Sequence, residues 1–337
     1  MAKRTGGFIG QDGINAPDQA TGVAGSAGDE QVTVSWTAPS DVGGAAITGY
    51  NVQSNDGSGS YSTFPSSTYT DNSFLLTGQT NNPYGVLISN DGSVMLVLDR
   101  QNSNVLQYNL STAYDVSTAS YDSALNLSSQ TTEPQGFSAA KNGEKIYVTE
   151  EGSDPDYVFE YTLTTGWDVS TGSYSSNSYV ISGTVASSSG VYVKNDGTKM
   201  YVRSISSDLI YQFSLSTAYD VSTASYDSKT LDVSGESTNG YSLTFLSSGY
   251  YVYVSDVNNT IYEYNLTTAW DISTGSYTGN SFDVSSQETS TLGADFSDDG
   301  SKFYVTGQSS DTVYEYTVPN YPTASPVTFT GLTNGTS

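Results

Sequence analysis

The chain has 337 residues and a formal net charge of −25, from 10 basic and 35 acidic side chains. This charge repels nucleic acid phosphates and anionic membrane surfaces, so we expect no nucleic-acid partner. No segment approaches the length of a transmembrane helix, so we expect no membrane insertion. With no Cys and no His, the chain cannot form disulfides, a Ser-His-acid triad, a catalytic thiolate or the common zinc sites.

Residues 1–15 are rich in Gly and carry two basic residues apart from the acidic remainder of the chain. One interpretation is a disordered terminus, which is common for such segments. The alternative is an arm that anchors the protein to a larger assembly through Lys3, Arg4, Phe8 and Ile9. Because glycines and not an apolar core follow the two charges, we do not expect a signal peptide.

Residues 16–60 begin with an alternation of apolar and polar residues at 31–36, which predicts a half-buried strand. A second such stretch follows at 47–52. Together they resemble the first strands of a bacterial fibronectin type III domain. The resemblance implies that Trp36 is the core tryptophan and Tyr50 a strand C residue.

The resemblance resumes at residues 321–337, which look like strand E of the same domain, with Leu332 as the core leucine. The family pattern continues with Tyr-x-Phe-x-Val and two further strands that this sequence lacks. We therefore expect an incomplete fibronectin type III-like β-sandwich, with residues 61–320 inserted into it. Either the sequence is cut short, or a partner supplies the missing strands.

The inserted residues 61–320 consist of a unit of about fifty residues that recurs five times. Four copies contain the string Tyr/Trp-Asp-Val/Ile-Ser-Thr, which begins at Tyr114, Trp167, Tyr219 and Trp270. A turn glycine recurs with the same period, at Gly92, Gly143, Gly197, Gly249 and Gly300. Repeats of this length, with about four short strands each, are typical of β-propellers.

The strand that the fifth unit lacks is found before the first repeat. Residues 69–79 match residues 277–287 of the fourth unit, and each segment starts 16 residues before a glycine. We therefore predict that residues 69–77 pair with residues 312–318 and close a five-bladed ring. Closure hides strand edges that a linear array would leave exposed.

Four strands are predicted in each unit, and in the third they lie near 190–193, 199–203, 208–213 and 225–233. The pattern x-Asp-Gly-x-Lys-x-Tyr-Val resembles the YVTN and related surface-layer-type propeller repeats, which implies the fold and says little about function. The predicted fold class is all-β. It comprises a five-bladed β-propeller, with four strands per blade and a shared closing blade, plus the incomplete sandwich.

Aspartates recur at one position of four units. Some five-bladed propellers are glycosidases that use paired carboxylates near the central axis. A residue repeated in every unit serves folding more often than chemistry, so we interpret these aspartates as acceptors of backbone N–H groups in Asx-type turns. They are Asp115, Asp168, Asp220 and Asp271.

Four acids that occur only once cluster around Pro155, namely Glu150, Glu151, Asp154 and Asp156. They could attract a hard cation, but their order matches no EF-hand loop, and we interpret them as a solvated loop. Neither a phosphate-cradling Gly-Lys-Thr loop nor a dinucleotide fingerprint is present. We therefore assign no catalytic, metal-binding or cofactor-binding residue, and we expect no enzymatic activity.

The aromatic residues that open the repeated string have two interpretations. Tyr114, Trp167, Tyr219 and Trp270 could form a ring on which a glycan stacks. Their equivalence in each unit favours instead a packing role between adjacent blades.

A fibronectin-like segment without a signal peptide is typical of virion proteins of tailed bacteriophages, which assemble in the cytoplasm and leave by lysis. We therefore predict a virion structural protein, in the capsid or tail, that displays a propeller for host-surface or glycan adhesion. Its partners would be other virion proteins, bound through the arm and the incomplete sandwich. The alternatives are a bacterial surface or secreted adhesin and, as the weakest, a propeller glycosidase.

Overall fold

A computed structural model describes residues 20–28, 31–40, 64–151, 155–318 and 327–330. The chain divides into two compact units, one of Met1–Ser54 with Asn320–Ser337 and the other of Asn55–Pro319. The predicted arm at 1–15 lies outside the described residues, as do Tyr50, Asp154 and Leu332. Within the described ranges, no helix has the length and apolar character needed to cross a membrane.

The strands of the described residues are numbered in chain order. They are β1 (Thr21–Gly28), β2 (Gln31–Thr37), β3 (Thr68–Leu75), β4 (Pro83–Ile88), β5 (Val94–Asp99), β6 (Asn104–Leu110), β7 (Ala119–Asn126), β8 (Pro134–Ala139), β9 (Lys145–Glu150), β10 (Tyr157–Leu163), β11 (Gly172–Val180), β12 (Ser188–Val193), β13 (Lys199–Ser204), β14 (Leu209–Leu215), β15 (Ala224–Asp232), β16 (Leu243–Phe245), β17 (Tyr251–Asp256), β18 (Thr260–Leu266), β19 (Gly275–Asp283), β20 (Thr291–Phe296), β21 (Lys302–Gly307), β22 (Thr312–Thr317) and β23 (Val327–Thr330). Short 3₁₀ turns lie at Phe64–Ser66, Val116–Thr118, Val169–Thr171, Val221–Thr223 and Ile272–Thr274.

The smaller unit contains an antiparallel sheet with the strand order β1-β2-β23. Val34 of β2 lies opposite Val327 of β23, so the two segments that resemble a fibronectin type III domain pair directly. Trp36 is buried, with 8 % of its surface exposed. A sandwich needs a second sheet, and the described residues of this unit form one, so the sandwich stays a prediction.

The larger unit is a five-bladed β-propeller with four antiparallel strands per blade. Blades 1 to 4 are β4–β7, β8–β11, β12–β15 and β16–β19, and blade 5 is β20-β21-β22-β3. The innermost strands contact one another in the cyclic order β4, β8, β12, β16, β20 and back to β4. The predicted number of blades, number of strands and closure are therefore confirmed.

The closing strand β3 pairs with β22 in the predicted register range. Thr312 lies opposite Leu75, and Thr317 lies opposite Thr68. Just before β3, the side chain of Phe64 is 1 % exposed and packs 4.9 Å from the ring of Tyr253 in blade 4. The N-terminal segment thus contributes both a strand and a core aromatic residue to the ring, and burying a Phe side chain stabilises the fold by about 1.5–3 kcal/mol.

The turn glycines between the first and second strands all have positive φ, as the tight-turn prediction requires. Gly92, Gly143, Gly197, Gly249 and Gly300 have φ between 69° and 72°. L-residues with a Cβ rarely adopt this conformation, which explains the recurrence of Gly at this position.

The repeated aspartates cap the 3₁₀ turns between the third and fourth strands, so their interpretation as turn acceptors is confirmed. Asp115 Oδ1 accepts hydrogen bonds from the backbone N–H and the hydroxyl of Ser117, at 3.0 and 2.6 Å. The side chains of Asp168, Asp220 and Asp271 make the same contact with the serine two residues later.

Adjacent blades are joined by buried Glu and Gln side chains that the sequence analysis did not single out. Each lies in the middle of a third strand and accepts the N–H of the first residue of the 3₁₀ turn in the next blade. The pairs are Gln107 with Val169 (2.8 Å), Glu160 with Val221 (3.1 Å), Gln212 with Ile272 (3.1 Å) and Glu315 with Val116 (3.2 Å). We call Gln107, Glu160, Gln212 and Glu315 the interblade acceptors.

Candidate functional site

The innermost strands surround an axial channel, and glycine lets them approach closely. A Cβ on Gly136 of blade 2 would lie 2.0 Å from the carbonyl oxygen of Ser189 in blade 3. A Cβ on Gly293 of blade 5 would lie 2.6 Å from the Cα of Gly85 in blade 1. Because both clashes are with backbone atoms, only glycine fits at these two positions, and the channel is narrow.

One side chain from each blade occupies an equivalent position along the channel, opposite the same position of the second strand. We call this set the channel ring. It consists of Leu87, Ser138, Tyr192, Thr244 and Asp295, opposite Leu96, Tyr147, Tyr201, Tyr253 and Tyr304. Asp295 is the acid of this ring, and it has no counterpart in the other blades.

Asp295 is held by two neighbouring blades. Its Oδ2 accepts the N–H of Ile88 in blade 1 at 3.1 Å, and its Oδ1 accepts the hydroxyl of Thr244 in blade 4 at 3.2 Å. Burial among the inner strands raises the pKa of Asp295 to about 7, and the nearby charge of Asp298 adds to the shift. Hydrogen bonds from the backbone N–H groups of Ile88 and Phe296 and from the Thr244 hydroxyl oppose the increase but do not cancel it.

The end of the channel at the turn glycines is bordered by the residues that precede each turn, Asn90, Lys141, Asn195, Ser247 and Asp298. Lys141 of blade 2 forms an ion pair with Asp298 of blade 5 at 3.2 Å. The Nδ2 of Asn90 in blade 1 donates to the carbonyl of Lys141 at 2.5 Å. Blade 1 lies between blades 2 and 5 in the ring, so this ion pair joins two blades that are not adjacent, at the mouth of the channel.

The opposite end of the channel is narrowed by two aromatic rings. Tyr84 of blade 1 and Tyr241 of blade 4 meet edge to face, with centroids 5.4 Å apart. The guanidinium of Arg100 lies 4.8 Å from the Tyr84 ring centroid, donates to the Tyr84 hydroxyl at 2.7 Å, and pairs with Glu133 at 3.0 Å.

The cavity between these ends has a volume of about 100 Å³. Sites for small organic ligands usually measure about 300–1,000 Å³, so this channel suits an ion or a few water molecules better than a sugar ring. A glycosidase needs two carboxyl groups flanking the sugar. The other acid that lines this cavity, Asp298, is engaged by Lys141.

The four aromatic residues that open the repeated string pack on the turn glycine of their own blade, a contact that the sequence did not predict. A Cβ on Gly92 would lie 2.5 Å from the Tyr114 ring, and one on Gly249 would lie 2.2 Å from the Trp270 ring. Trp167 and Tyr219 cover Gly143 and Gly197 in the same way. One face of each ring is thus occupied, and glycan stacking on the other face stays a prediction.

The expected packing between adjacent blades is seen for Trp270. Its ring stacks 6.2 Å from Tyr192 of blade 3, and the ammonium of Lys194 lies 5.4 Å from its centroid. Tyrosine hydroxyls also cross between blades: Tyr304 donates to the carbonyl of Tyr114 at 3.1 Å, and Tyr201 to that of Trp270 at 2.7 Å.

The interpretation of the acids around Pro155 as a solvated loop is wrong for two of them. Glu150 is 5 % exposed and Asp156 is 8 % exposed. Glu150 is the last residue of β9, and Asp156 directly precedes β10. Among the described residues, no group of three or more acidic side chains is placed to hold a metal ion.

The basic side chains of the propeller are all engaged. Within the described ranges, seven of them pair with a carboxylate: Arg100, Lys141, Lys145, Lys194, Lys199, Lys229 and Lys302. The eighth, Arg203, is buried and donates to the carbonyl of Ser255 at 2.8 Å and to the hydroxyl of Ser237 at 2.7 Å. The remaining acids therefore give the propeller a negative surface.

The raised pKa of Asp295 leads to a prediction for the pH dependence of stability. Between about pH 4 and pH 7 the folded chain holds a proton on Asp295 that the unfolded chain releases, so the free energy of unfolding should fall as the pH rises through this window. The expected difference is about 2–4 kcal/mol, at about 1.4 kcal/mol per pKa unit. Urea unfolding of the wild type and Asp295→Asn at pH 4.5 and 7.5 measures it. Equal pH dependence in the two proteins would contradict it. The control is Asp122→Asn, which changes an exposed acid of β7 outside the channel lining.

Comparison with known proteins gives limited information. No protein-family profile and no curated protein sequence matches the chain. A functionally unknown protein from Desulfotomaculum acetoxidans DSM 771 aligns with a TM-score of 0.41 and 13 % identity, over 67 % of this chain and 62 % of that one, less than two thirds of its length. The β-propeller domain of Myceliophteria thermophila Cps50 (Swd1) aligns with a TM-score of 0.42 and 11 % identity, over 75 % of this chain and 99 % of that domain. At these TM-scores neither likeness supports an argument about function. The strand pairing itself defines the class, a five-bladed β-propeller.

Proposed function

We propose that the chain is a virion structural protein of a tailed bacteriophage, either a capsid decoration or a tail-associated protein. In this role it displays the propeller for adhesion to the host surface or to a glycan. The proposal rests on the combination of a propeller, a segment that resembles a fibronectin type III domain and a Gly-rich basic arm beside an acidic remainder. Such a combination suits an exposed appendage on a larger particle.

We favour attachment over catalysis because the repeated polar side chains serve to hold the fold together. The four repeated aspartates cap turns, and the interblade acceptors bind backbone N–H groups of the next blade. These groups are therefore committed to building the ring. The other acid that lines the cavity, Asp298, is paired with Lys141, so Asp295 has no free carboxyl group opposite it in the cavity lining. The cavity is also small. The outer surface is thus the part available for recognition.

Attachment to other virion proteins is assigned to the N-terminal arm and the incomplete sandwich. Lys3 and Arg4 are the basic residues of the chain that lie outside the acidic propeller, and Phe8 and Ile9 follow them. An extended arm with this composition suits docking on a negatively charged, partly apolar groove of a larger assembly. A bacterial surface or secreted adhesin is the alternative, and a propeller glycosidase is the weakest one.

Mass spectrometry of purified virions from the corresponding phage tests the proposal. We expect peptides of this chain at a fixed ratio to the major capsid or tail protein, and antibodies against the propeller should decorate intact particles. The purified protein should hydrolyse no glycoside, ester or phosphate. Absence from virions would favour the adhesin, and a turnover that is abolished by Asp295→Asn would favour the enzyme.

A further inference from the structure

The channel contains buried hydroxyl groups without a hydrogen-bond partner among the described residues. The Oγ of Ser138, in the channel ring, and the Oγ of Ser242, which directly precedes β16 of blade 4, are both of this kind. Both residues line the cavity, and Ser138 is only 4 % exposed. A buried polar atom without a hydrogen-bond partner lowers the stability of the fold by about 1–3 kcal/mol. A polar occupant of the channel would remove this penalty for the two hydroxyls.

The charge of Asp295 is also uncompensated in the described part of the chain. Its hydrogen-bond donors, the N–H groups of Ile88 and Phe296 and the hydroxyl of Thr244, are all neutral. The nearest basic residue of the channel lining, Lys141, pairs with Asp298 at the mouth. A carboxylate in such a place either keeps its proton or takes a cation with it.

We infer that the axial channel binds one small monovalent cation of the Na⁺ or K⁺ class beside Asp295. Carboxylate and hydroxyl oxygens are the ligands that hard cations prefer. The Thr244 hydroxyl donates its proton to Asp295, which leaves its lone pairs free for the ion, and Ser138 supplies a further oxygen at the same level of the ring.

The number of carboxylates decides the charge of the ion. Ca²⁺ sites usually gather several carboxylates, and no group of three acidic side chains among the described residues is placed to hold a metal ion. One carboxylate surrounded by neutral oxygens balances one positive charge. The volume of about 100 Å³ is several times the roughly 10–15 Å³ that one water needs by this measure, so the cavity can hold such an ion with a few waters.

The surroundings favour delivery of a cation to this site. The formal net charge of −25 raises the concentration of cations near the surface. At the mouth, the ion pair between Lys141 and Asp298 is partly exposed, with 46 % and 35 % of the side-chain surfaces accessible. An exposed pair of this kind is weak, about 0–1 kcal/mol, so it can open to admit an ion.

Thermal unfolding in chloride salts of Na⁺, K⁺ and N-methylglucamine at equal ionic strength tests the inference with the full-length chain. N-methylglucamine is too large for the cavity and controls for general screening of the negative surface. For the wild type at pH 8, where Asp295 is ionised, the Tm should be about 2–8 °C higher in Na⁺ or K⁺ than in N-methylglucamine.

The variant Asp295→Asn should lose this difference, because its neutral amide keeps the shape of the side chain without the charge. Asp122→Asn, which changes an exposed acid of β7 outside the channel lining, is the matched control and should retain the difference. A wild-type Tm that is equal in the three salts overturns the inference, and so does an unchanged difference in Asp295→Asn.

A second readout does not depend on the folding of any variant. Wild-type crystals soaked in Tl⁺, which replaces K⁺, should show an anomalous peak beside the Asp295 carboxylate. A peak elsewhere, or no peak in the channel, would contradict the inference even if the Tm depends on the salt.

Discussion

Deletion of residues 64–79 is expected to open the ring and turn the propeller into an aggregating species. The deletion removes the fourth strand of blade 5 together with Phe64 and Leu76, whose side chains are 1 % and 0 % exposed. It also uncovers Tyr316 of β22, whose ring centroid lies 5.6 Å from that of Tyr69. Since the lost burial is comparable to the whole stability of a domain, about 5–15 kcal/mol, we expect no cooperative unfolding near the wild-type Tm.

Size-exclusion chromatography and calorimetry measure this effect, and two point variants calibrate it. Phe64→Ala should cost about 3–5 kcal/mol, because it leaves a cavity among aromatic rings of blades 4 and 5. Leu75→Ala, in β3 of the deleted segment and 57 % exposed, should stay within about 0.5 kcal/mol. A monomeric deletion variant with unchanged thermal stability would show that β3 does not close the ring.

Glu315→Ala is expected to destabilise the propeller far more than the removal of an exposed acid. The carboxylate of Glu315 is 1 % exposed and binds Lys302 Nζ at 2.6 Å, the Val116 N–H at 3.2 Å and Asn72 Nδ2 at 3.3 Å. Removal leaves a cation and two donors without this acceptor at the junction of blades 5 and 1. Breaking a buried ion pair by removing one partner costs about 3–5 kcal/mol.

The chain itself provides the matched variant for this prediction. Gln107 and Gln212 occupy the equivalent positions of blades 1 and 3, and each accepts the equivalent backbone N–H of the next blade. Glu315→Gln should therefore keep the bond to Val116, lose only the charge, and cost about 1–2 kcal/mol. Glu144→Ala, which is exposed, should cost less than about 0.5 kcal/mol. Urea unfolding ranks the three variants, and an equal loss for Glu315→Ala and Glu144→Ala would contradict the prediction.

Features that repeat along the chain were predictable from the sequence. The turn glycines, the capping aspartates and the closing strand recur with a period of about fifty residues. Each meets a local requirement of the backbone. Gly197 adopts a positive φ in its turn, and Asp220 accepts the backbone N–H of the residue two positions later. Requirements of this kind involve residues that are close in the chain, so they can be predicted from the sequence.

The interblade acceptors could have been found by the same logic. Glu160, Glu263 and Glu315 all lie within an aromatic-Glu-Tyr string, and Gln107 and Gln212 take the same place. A charged residue that recurs among apolar neighbours in a strand is a signal of buried pairing. Its partner, however, belongs to the next blade, as far as 199 residues away for Glu315 and Val116.

The sequence by itself determined the closed five-bladed ring, because repetition and local turn chemistry are visible in the order of residues. Only the tertiary structure decided which single acids are buried or lie in the channel. In the sequence, Asp295 resembles any acid in an alternating strand, and Glu150 and Asp156 resemble residues of a solvated loop. In the closed ring Asp295 lines the channel, and Glu150 and Asp156 are buried. Burial and the pKa of a carboxyl group depend on side chains that come from different blades, and that information does not exist until the ring closes.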